Sequence, residues 1–475
     1  MKVLFVTAEC YPFLKTGGLA DVAFALPQEM KHHALDIRVI MPKYGKIAQQ
    51  YREKMQHLFH FFVDFGEHRQ YCGVDYLEYE GMQYYFIDNE YYFNRDGAYG
   101  FADDCERFAF FNKAILDCLY GIDFWPDVFH LNDWHTGMIG PLLDAHYRHD
   151  YRYRNMRTIM TIHNLQHQGV FARQDIWQNY GINSNSEVGG KCIWNNDLNH
   201  LKAGIECATV VTTVSPTYAH EIQTPSYGEG LDGFLRYHSH KLVGILNGLN
   251  TNLYNPATDT ALVENYTEQT IEQKMVNKLA LQQEAGVSVA PNRPVFGMVT
   301  RLSDQKGLDL VMGAIGHLVY CGCQLIVLGT GEAHYETMLA EWAKTHSDSV
   351  SVRLQFDENY ARRIYAGSDF FLMPSRFEPC GLSQLIAMRY GSLPVVRLTG
   401  GLVDTVNALH YGANYATGFG FEHYDLAGLT YAINQAADIY YEQPGLFAQM
   451  QQNAMQENFS WATIATRYRM LYDRV

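Results

Sequence analysis

Short apolar runs alternate along the chain with longer stretches of helical periodicity. In the first half, the pattern predicts buried strands at KVLFVTA, DIRVIM, QYYFID, DVFHL, RTIMTI and ATVVTTV. In the second half, it predicts strands at PVFGMVT, QLIVLG, VSVRLQF, DFFLMP and LPVVRL. Because the segments between these runs are long enough for crossover helices, the pattern predicts an α/β protein with two parallel sheets.

One segment lacks both periodicities and indicates a domain boundary. Residues 244–260 are rich in Asn, Gly, Pro and Thr, which are typical of turns and loops. We therefore predict one domain over residues 1–246 and a second over 247–456. The final stretch, 457–475, has an apolar helical face that begins at Trp461, so we expect a helix that packs back on the first domain.

Composition narrows the class of protein. A chain of 475 residues is longer than one hydrophobic core normally serves. Its 36 Lys and Arg against 51 Asp and Glu give a net charge of −15, which disfavours nucleic acid and anionic membranes as partners. The nine cysteines form no C-x-x-C, and the first apolar run meets Glu9 and Pro12. We expect a cytoplasmic protein without a signal peptide or membrane span, and leave its oligomeric state open.

A glycine loop follows the first predicted strand. Lys15, Gly17 and Gly18 lie between that strand and a predicted helix, an arrangement that usually prepares an anion site. The lysine precedes the glycines, so the loop is neither G-x-G-x-x-G nor a P-loop. A second lysine-bearing glycine loop, TRLSDQKGLDL, opens the second half. We expect both loops to border a cleft at the carboxyl ends of the sheets, where α/β proteins bind ligands.

The most informative local motif is MPSRFEPCGLSQLIAM, residues 373–388. A predicted strand ends in a loop that contains Glu378, and Cys380, Gly381 and Leu382 begin a helix. Free N–H groups at a helix start can bind hydroxyls or phosphate. The same pattern also fits an ordinary helix cap with a surface glutamate, and the motif alone does not distinguish the two.

Two cations follow the first strand of the second half. Arg301 and Lys306 could clamp a diphosphate, although they could equally be a solvated surface pair. Glycine turns at 329–332 and 399–401, the latter containing Thr399 and Gly400, also follow predicted strands. Several such turns in one domain favour a ligand site at the strand ends.

In the first half, Asp133 and His163 each follow a predicted strand. His163 and His167 are four residues apart, but the segment follows a strand and Asn164 stands where a zinc helix would have Glu. We therefore do not expect zinc here. The chain contains no Asp-x-Asp pair, which argues against enzymes that hold nucleotide diphosphates through a metal bound by that motif.

Taken together, these motifs resemble those of bacterial glycogen synthases and plant starch synthases, in the same order and over nearly the whole chain. The family's motifs are matched by KTGGLADV, DDCERFAFF, LNDWHTG, TIHNLQHQG, LKAGIECATVVTTVSPTYAHEI, TRLSDQKGLDL, PSRFEPCGL and RLTGGLVDTV. The resemblance implies two Rossmann-like domains facing across a cleft, the GT-B arrangement. It also implies transfer of glucose from ADP-glucose to the non-reducing end of an α-1,4-glucan, with retention of configuration and without metal or pyridoxal phosphate.

The same resemblance implies a role for each matching position. Catalytic roles fall on Glu378, beside the anomeric carbon, and on His163, Arg301, Lys306 and Asp133. Donor binding falls on Lys15, Gly17, Gly18, Asp21, Asn247, Phe356, Cys380, Gly381, Leu382, Thr399 and Gly400. Acceptor binding falls on Glu9 and Phe93.

The chain departs from the family pattern at a few positions. Phe356 stands where a tyrosine would stack on adenine, and a phenyl ring keeps the stacking surface but loses the hydroxyl. Phe93 also replaces a tyrosine, and Asn250 replaces an aspartate at the hinge. Ile386 stands where many UDP-sugar transferases of this architecture carry a second glutamate, which favours ADP-glucose.

Three alternatives remain at the level of sequence. A glucan-binding protein with an inactive site would be expected to lack Glu378, Lys306 or His163, and all three are present. A phosphorylase would need pyridoxal phosphate on a lysine. A related transferase could use UDP-glucose.

Overall fold

The structure, a computed structural model, describes residues 1–409 and 415–475. Contacts divide the chain into two compact units. Unit 1 comprises Met1–Val214, Ala219–Gly248 and Trp461–Val475. Unit 2 comprises Ser215–Tyr218 and Leu249–Ser460. No helix in the described part of the chain combines the length and apolarity needed to cross a membrane.

The strands are β1 (Lys2–Val6), β2 (Asp36–Pro42), β3 (Gln56–Phe65), β4 (His68–Tyr79), β5 (Met82–Asp88), β6 (Val128–Asn132), β7 (Arg157–Ile162), β8 (Val170–Phe171), β9 (Ile193–Trp194), β10 (Asp197–Asn199), β11 (Val210–Thr213), β12 (Leu242–Gly244), β13 (Val295–Val299), β14 (Gln324–Leu328), β15 (Val350–Arg353), β16 (Phe370–Met373), β17 (Leu393–Arg397) and β18 (Phe419–Phe421).

The helices are α1 (Gly18–His32), α2 (Gln49–Arg52), α3 (Glu90–Phe93), α4 (Asp104–Ile122), α5 (Ile139–Leu142), α6 (Asp175–Tyr180), α7 (Glu187–Cys192), α8 (His200–Cys207), α9 (Pro216–Glu221), α10 (Asp232–Tyr237), α11 (Lys274–Ala285), α12 (Leu308–Tyr320), α13 (Ala333–Thr345), α14 (Glu358–Gly367), α15 (Ser383–Arg389), α16 (Gly401–Thr405), α17 (Leu426–Glu442), α18 (Pro444–Gln456) and α19 (Trp461–Tyr472).

Unit 1 is built on a nine-stranded sheet in the order β12-β11-β7-β6-β1-β2-β5-β4-β3. In this spatial order, the seven strands from β12 through β5 are parallel to one another. Strand β4 runs antiparallel to both of its neighbours, β5 and β3. The chain leaves β1 for β2 on one side and later places β6 on the other. Ligands of open α/β sheets bind at the carboxyl ends of strands where the order reverses in this way, here between β1 and β6.

Unit 2 is built on a parallel six-stranded sheet in the order β15-β14-β13-β16-β17-β18. Its order reverses between β13 and β16. Central strands of a parallel sheet are covered on both faces and are therefore almost continuously apolar. Strands β14 and β16 accordingly consist of buried residues throughout.

The last helix, α19, belongs to unit 1 and packs against α1. Trp461, Ile464, Tyr468 and Leu471 recur at helical spacing and are all buried, so one face of α19 is apolar. The Tyr472 hydroxyl also bonds to Nδ1 of His130 in β6, at 2.6 Å. The helix therefore contributes both apolar contacts and a buried polar bond to unit 1.

All eleven predicted strands are confirmed, as are the two parallel sheets, although the first sheet also has two antiparallel strands at one edge. The antiparallel hairpin of β3 and β4 was missed, because β3 mixes His, Phe and Asp without a clean alternation and is interrupted by a bulge between His57 and Phe59. The two- or three-residue strands β8, β9, β10, β12 and β18 were also missed, because they are too short to show a periodicity.

Candidate active site

The loops that follow β13 and β16 bring Lys306 and Glu378 together at the reversal point of unit 2. Lys306 Nζ lies 2.6 Å from Glu378 Oε2, and the Ser375 hydroxyl donates to the same oxygen at 3.0 Å. Glu378 is buried, with only 6% of its surface exposed. Because desolvating two charges costs about as much as their attraction returns, such a pair adds little to stability. Its position at a ligand-binding edge instead fits a chemical role.

A close backbone approach fixes these two loops against each other. Gly307 adopts φ +73°, and a Cβ atom there would lie 2.1 Å from the Pro374 carbonyl oxygen. The Arg376 N–H also donates to the Gln305 carbonyl at 2.8 Å. Since only glycine tolerates both the conformation and the contact, the lysine-bearing turn requires Gly307.

The glycine turn after β17 packs on the segment that contains Glu378. The Gly401 N–H donates to the Glu378 carbonyl at 3.0 Å, and a Cβ at Gly401 would lie 2.1 Å from the Cys380 carbonyl oxygen. Gly400 has φ +47°, and Thr399 is fully buried. The structure thus brings Thr399 and Gly400 to the Glu378 loop.

Residues 380–382 form a rigid entry to α15. Gly381 has φ +74°, and Leu382 directly precedes the first residue of the helix. The Gln384 side chain donates to the carbonyls of both Cys380 and Gly381, each at 3.0 Å. Hydrogen bonds from its own helix therefore hold this loop.

Arg301 and Phe356 lie at the same edge of unit 2 but are not bonded to the Lys306–Glu378 pair. Within residues 1–409 and 415–475, the Arg301 guanidinium forms no ion pair or hydrogen bond. Phe356 follows β15 and is 84% exposed. Strand β15 is two positions from β13, or about 10 Å at the usual strand spacing.

In unit 1, the glycine loop after β1 is arranged around Glu9. The Thr16 N–H donates to Glu9 Oε2, and Lys15 forms an ion pair of 2.9 Å with Asp21. Burial raises the pKa of Glu9, although the N–H groups of Thr16 and Gly17 oppose that shift. Gly17 itself is extended, with φ −157°. The Thr16 N–H group is therefore already bonded to the Glu9 carboxylate, and Lys15 is already paired with Asp21.

Asp133 and His163 lie together beyond β6 and β7. Asp133 has φ +55°, which is unusual for a residue with a side chain, and its Oδ1 accepts the His163 N–H at 2.8 Å. Burial raises the pKa of Asp133 to about 7, against the lowering effect of the His163 and Asn164 N–H groups, and Glu9 raises it further. Burial lowers the pKa of His163 to about 3.

Asn247 and Phe93 differ in their availability to a ligand. Asn247 is buried, and its side-chain oxygen has no hydrogen-bond partner among the residues described. Phe93 is also fully buried, with its ring against Tyr44 and the guanidinium of Arg107. In this structure the Phe93 ring serves the core, and contact with a glucan would require it to leave that packing.

One group in the described part of the chain has metal-ligating atoms within 4.8 Å of one another: Asp304, Glu332 and His334. All three residues are exposed. Asp304 also accepts a hydrogen bond from the Tyr335 hydroxyl. Exposed acidic groups of this kind need no metal, so we assign it no role.

Two residues of the site were missed in the sequence. Ser375 lies three positions before Glu378 in the PSRFEPCGL motif, and Asn132 directly precedes Asp133. Asn132 Oδ1 lies 2.9 Å from His163 Nε2. The signal for both was their position at a strand end beside a candidate residue, but residue type alone did not distinguish them from ordinary loop residues.

Comparison with known proteins defines the class first. Residues 2–237 match the family model "Starch synthase catalytic domain", and residues 282–456 match "Glycosyl transferases group 1". Two α/β units with these matches are those of a GT-B glycosyltransferase. Sucrose-phosphate synthase from Thermosynechococcus elongatus shares the fold, with a TM-score of 0.63 at 16% identity over 100% of this chain and 98% of that chain.

Closer relatives identify the family. The chain is 46% identical to the glycogen synthase of Desulforamulus reducens, covering 100% of this chain and 99% of the relative. It is 47% identical to that of Anoxybacillus flavithermus, covering 100% and 98%. The catalytic domain of starch synthase IV from Arabidopsis thaliana, bound to ADP and acarbose, has a TM-score of 0.91 at 32% identity, covering 99% of this chain and 98% of that chain.

The chain belongs to the glycogen synthase family. It is a glucosyltransferase that elongates a glucan, as the sequence motifs predicted.

Proposed function

We propose that this enzyme transfers glucose from ADP-glucose to the non-reducing end of an α-1,4-glucan in the cytoplasm, with retention of configuration. The observation that carries this proposal is the order of groups along the carboxyl edge of the unit 2 sheet. An exposed ring, Phe356, follows β15; two cations, Arg301 and Lys306, follow β13; and a buried carboxylate, Glu378, follows β16. A nucleotide sugar presents its base, its diphosphate and its sugar in this same order.

The middle of the edge suits a diphosphate. Arg301 has no bonded partner in the described residues, and Lys306 shares its charge with one carboxylate. In a protein with net charge −15, a diphosphate requires such local cations. Cleavage of the anomeric bond adds negative charge to the departing ADP, which these cations would stabilise in the transition state.

The sugar end of the edge suits a glucosyl group that gains positive charge. Glu378 would face the anomeric carbon, held in place by Ser375 and Lys306. Retention follows if the acceptor attacks the anomeric carbon from the face that ADP leaves. It also follows from two successive inversions through a covalent intermediate. The backbone groups of Cys380, Gly381, Leu382, Thr399 and Gly400 would bind the glucose hydroxyls and phosphate.

For unit 1, we propose contacts with the sugars. Glu9 would bind the acceptor, and the unpartnered oxygen of Asn247 would accept a hydrogen bond from a glucose hydroxyl. Asp133 and His163 would contact the transferred glucose. Donor contacts of Lys15, Gly17, Gly18 and Asp21 stay a prediction, since Lys15 and the Thr16 N–H have partners within the protein.

The choice of ADP-glucose over UDP-glucose rests on two features. The starch synthase neighbour was bound to ADP. Ile386, where a second carboxylate would grip the ribose in many UDP-sugar transferases, is buried. Because an apolar side chain offers no acceptor to a ribose hydroxyl, that mode of binding UDP-glucose is missing.

A donor assay tests the proposal. Purified enzyme would be given glycogen and radiolabelled ADP-glucose or UDP-glucose, with Glu378→Gln as the inactive control. We expect incorporation from ADP-glucose at least about tenfold more efficient than from UDP-glucose, a difference of about 1.4 kcal/mol. Equal or better use of UDP-glucose would overturn the donor assignment but not the glucosyl transfer.

A further inference from the structure

Asn132, the last residue of β6, is fully buried between the Val6 carbonyl oxygen and a ring nitrogen of His163. Its Nδ2 donates to the Val6 carbonyl at 2.9 Å, and its Oδ1 lies 2.9 Å from His163 Nε2. A carbonyl oxygen can only accept, so the amide nitrogen must face Val6. The amide oxygen is therefore fixed toward the histidine.

This orientation determines which nitrogen of His163 carries the proton. An amide oxygen also only accepts, so His163 Nε2 must be the donor. Burial lowers the pKa of His163 to about 3, so the ring is neutral near pH 7 and Nδ1 has no proton. No hydrogen bond to Nδ1 is found within residues 1–409 and 415–475. Nδ1 is consequently a free acceptor.

Asn132 Nδ2 also lies 3.4 Å from the carbonyl oxygen of His130, whose ring belongs to a buried network. His130, two residues earlier, bonds through Nε2 to the Thr161 hydroxyl at 2.7 Å and through Nδ1 to the Tyr472 hydroxyl at 2.6 Å. The main chain of His163 is separately held by Asp133. Asp133 thus holds the main chain of His163, and Asn132 contacts its ring.

We propose that Asn132 is a positioning residue that fixes His163 as the Nε2–H tautomer, so that Nδ1 accepts a hydrogen bond from a hydroxyl of the transferred glucose. The identity of that hydroxyl rests on the proposed function, whereas the tautomer does not. An unprotonated Nδ1 can only accept a hydrogen bond, so its partner on the substrate must carry an O–H or N–H group. A phosphate or carboxylate oxygen without a proton cannot be that partner.

The tautomer can be read without any assay of activity. Protein labelled with ¹⁵N at its histidines would be examined by NMR, because protonated and unprotonated ring nitrogens have well-separated ¹⁵N shifts. His163→Gln assigns the signals by their loss. We expect an Nε2–H, Nδ1-unprotonated ring in the parent, and a mixture of both tautomers in Asn132→Ala. A protonated Nδ1 in the parent, or an unchanged tautomer in Asn132→Ala, would overturn the proposal.

Two variants separate positioning from loss of folding. Asn112 is also a fully buried asparagine, and its amide donates to the carbonyls of Phe108 and His135. Asn112→Ala should leave the His163 signals unchanged. Asn132→Asp keeps an oxygen that can accept from His163 Nε2–H. A protonated aspartic acid there would also keep a donor to the Val6 carbonyl. We expect it to keep the tautomer.

Kinetics then test the consequence for the reaction. By analogy with the outer partners of metal-bound histidines, we expect Asn132→Ala to lower kcat about 10- to 100-fold, with Asn132→Asp recovering most of that loss. Equal kcat values in Asn132→Ala and the parent, despite a changed tautomer, would overturn the assigned contact. An inactive parent with the expected tautomer would instead contradict the proposed function alone.

Discussion

Lys306 Nζ is bonded to Glu378 Oε2 at 2.6 Å, so the cation expected to bind the diphosphate and the carboxylate expected to face the sugar are direct partners. The two residues lie 72 positions apart in the chain, on loops after the adjacent strands β13 and β16. We therefore expect the lysine to lie beside the bond between sugar and phosphate, not at the distal end of the diphosphate. As that bond breaks, Lys306 would stabilise the departing phosphate while Glu378 stabilises the sugar cation.

The exposed ring of Phe356 predicts a selective effect on donor binding. Phe356→Ala should raise KM for ADP-glucose roughly 5- to 150-fold, the effect of losing about 1–3 kcal/mol of base stacking, and leave the apparent affinity for glycogen unchanged. Tyr320 is the matched control, because it is 87% exposed but lies at the opposite end of α12 from the strand ends. A similar KM in both alanine variants would remove Phe356 from the donor site.

Because Gly307 lies so close to Pro374, replacing it with alanine should cost more stability than the left-handed backbone conformation alone explains. Gly286 has nearly the same backbone angle, φ +76° against +73°, but a Cβ there would meet nothing within 4 Å. Gly286→Ala should cost about 1–2 kcal/mol of unfolding free energy, the cost of a side chain in left-handed backbone. Gly307→Ala should cost more and also lower kcat, because Lys306 precedes it. Equal losses in urea unfolding would mean that the close approach is unimportant.

The raised pKa of Asp133 predicts a pH-dependent cost to folding. The pKa rises from 3.8 to about 7 in the folded protein, so the folded state retains a proton that the unfolded chain releases. Stability contributed by this group is therefore present below about pH 4 and is lost as the pH rises to about 7. Asp133→Asn should gain stability relative to the parent across that window.

Urea unfolding of parent and Asp133→Asn at pH 5 and pH 8 would measure this effect. The histidines at 130, 163 and 200, whose pKa values burial lowers to about 3, act in the opposite sense, since their contribution is lost as the pH falls below about 6.5. They are common to both proteins and cancel in the difference. A difference independent of pH would show that Asp133 does not titrate in this range.

The apolar runs of the parallel strands could be predicted because burial on both faces makes them continuous. The hairpin of β3 and β4 could not, because its outer face carries exposed His60 and Phe62 and so lacks the expected polar alternation. The edge positions of Glu378, Lys306 and Asp133 were predictable from strand ends. Their bonding was not, because the Lys306–Glu378 and Asn132–His163 pairs depend on which strands become neighbours in the sheet.

Local competition for partners in the loop after β1 was not foreseen from the sequence. The loop after β1 was expected to offer its N–H groups and Lys15 to phosphate. In the structure, Glu9 accepts the Thr16 N–H and Asp21 pairs with Lys15. Both carboxylates lie within seven residues of the groups they bind, but their orientation is decided by the turn between them, which the residue pattern does not specify.

The steady-state kinetics of Lys306→Ala test the central claim most directly, with folding checked by circular dichroism. If the lysine acts on the charge that develops as the bond to ADP breaks, kcat should fall about 100- to 1,000-fold, with a smaller change in KM. Lys306→Arg should recover only part of the rate, since a planar fork replaces a point charge beside Glu378. A kcat for Lys306→Ala within about tenfold of the parent, with only KM raised, would mean that the lysine merely binds the donor in its ground state and would contradict the account.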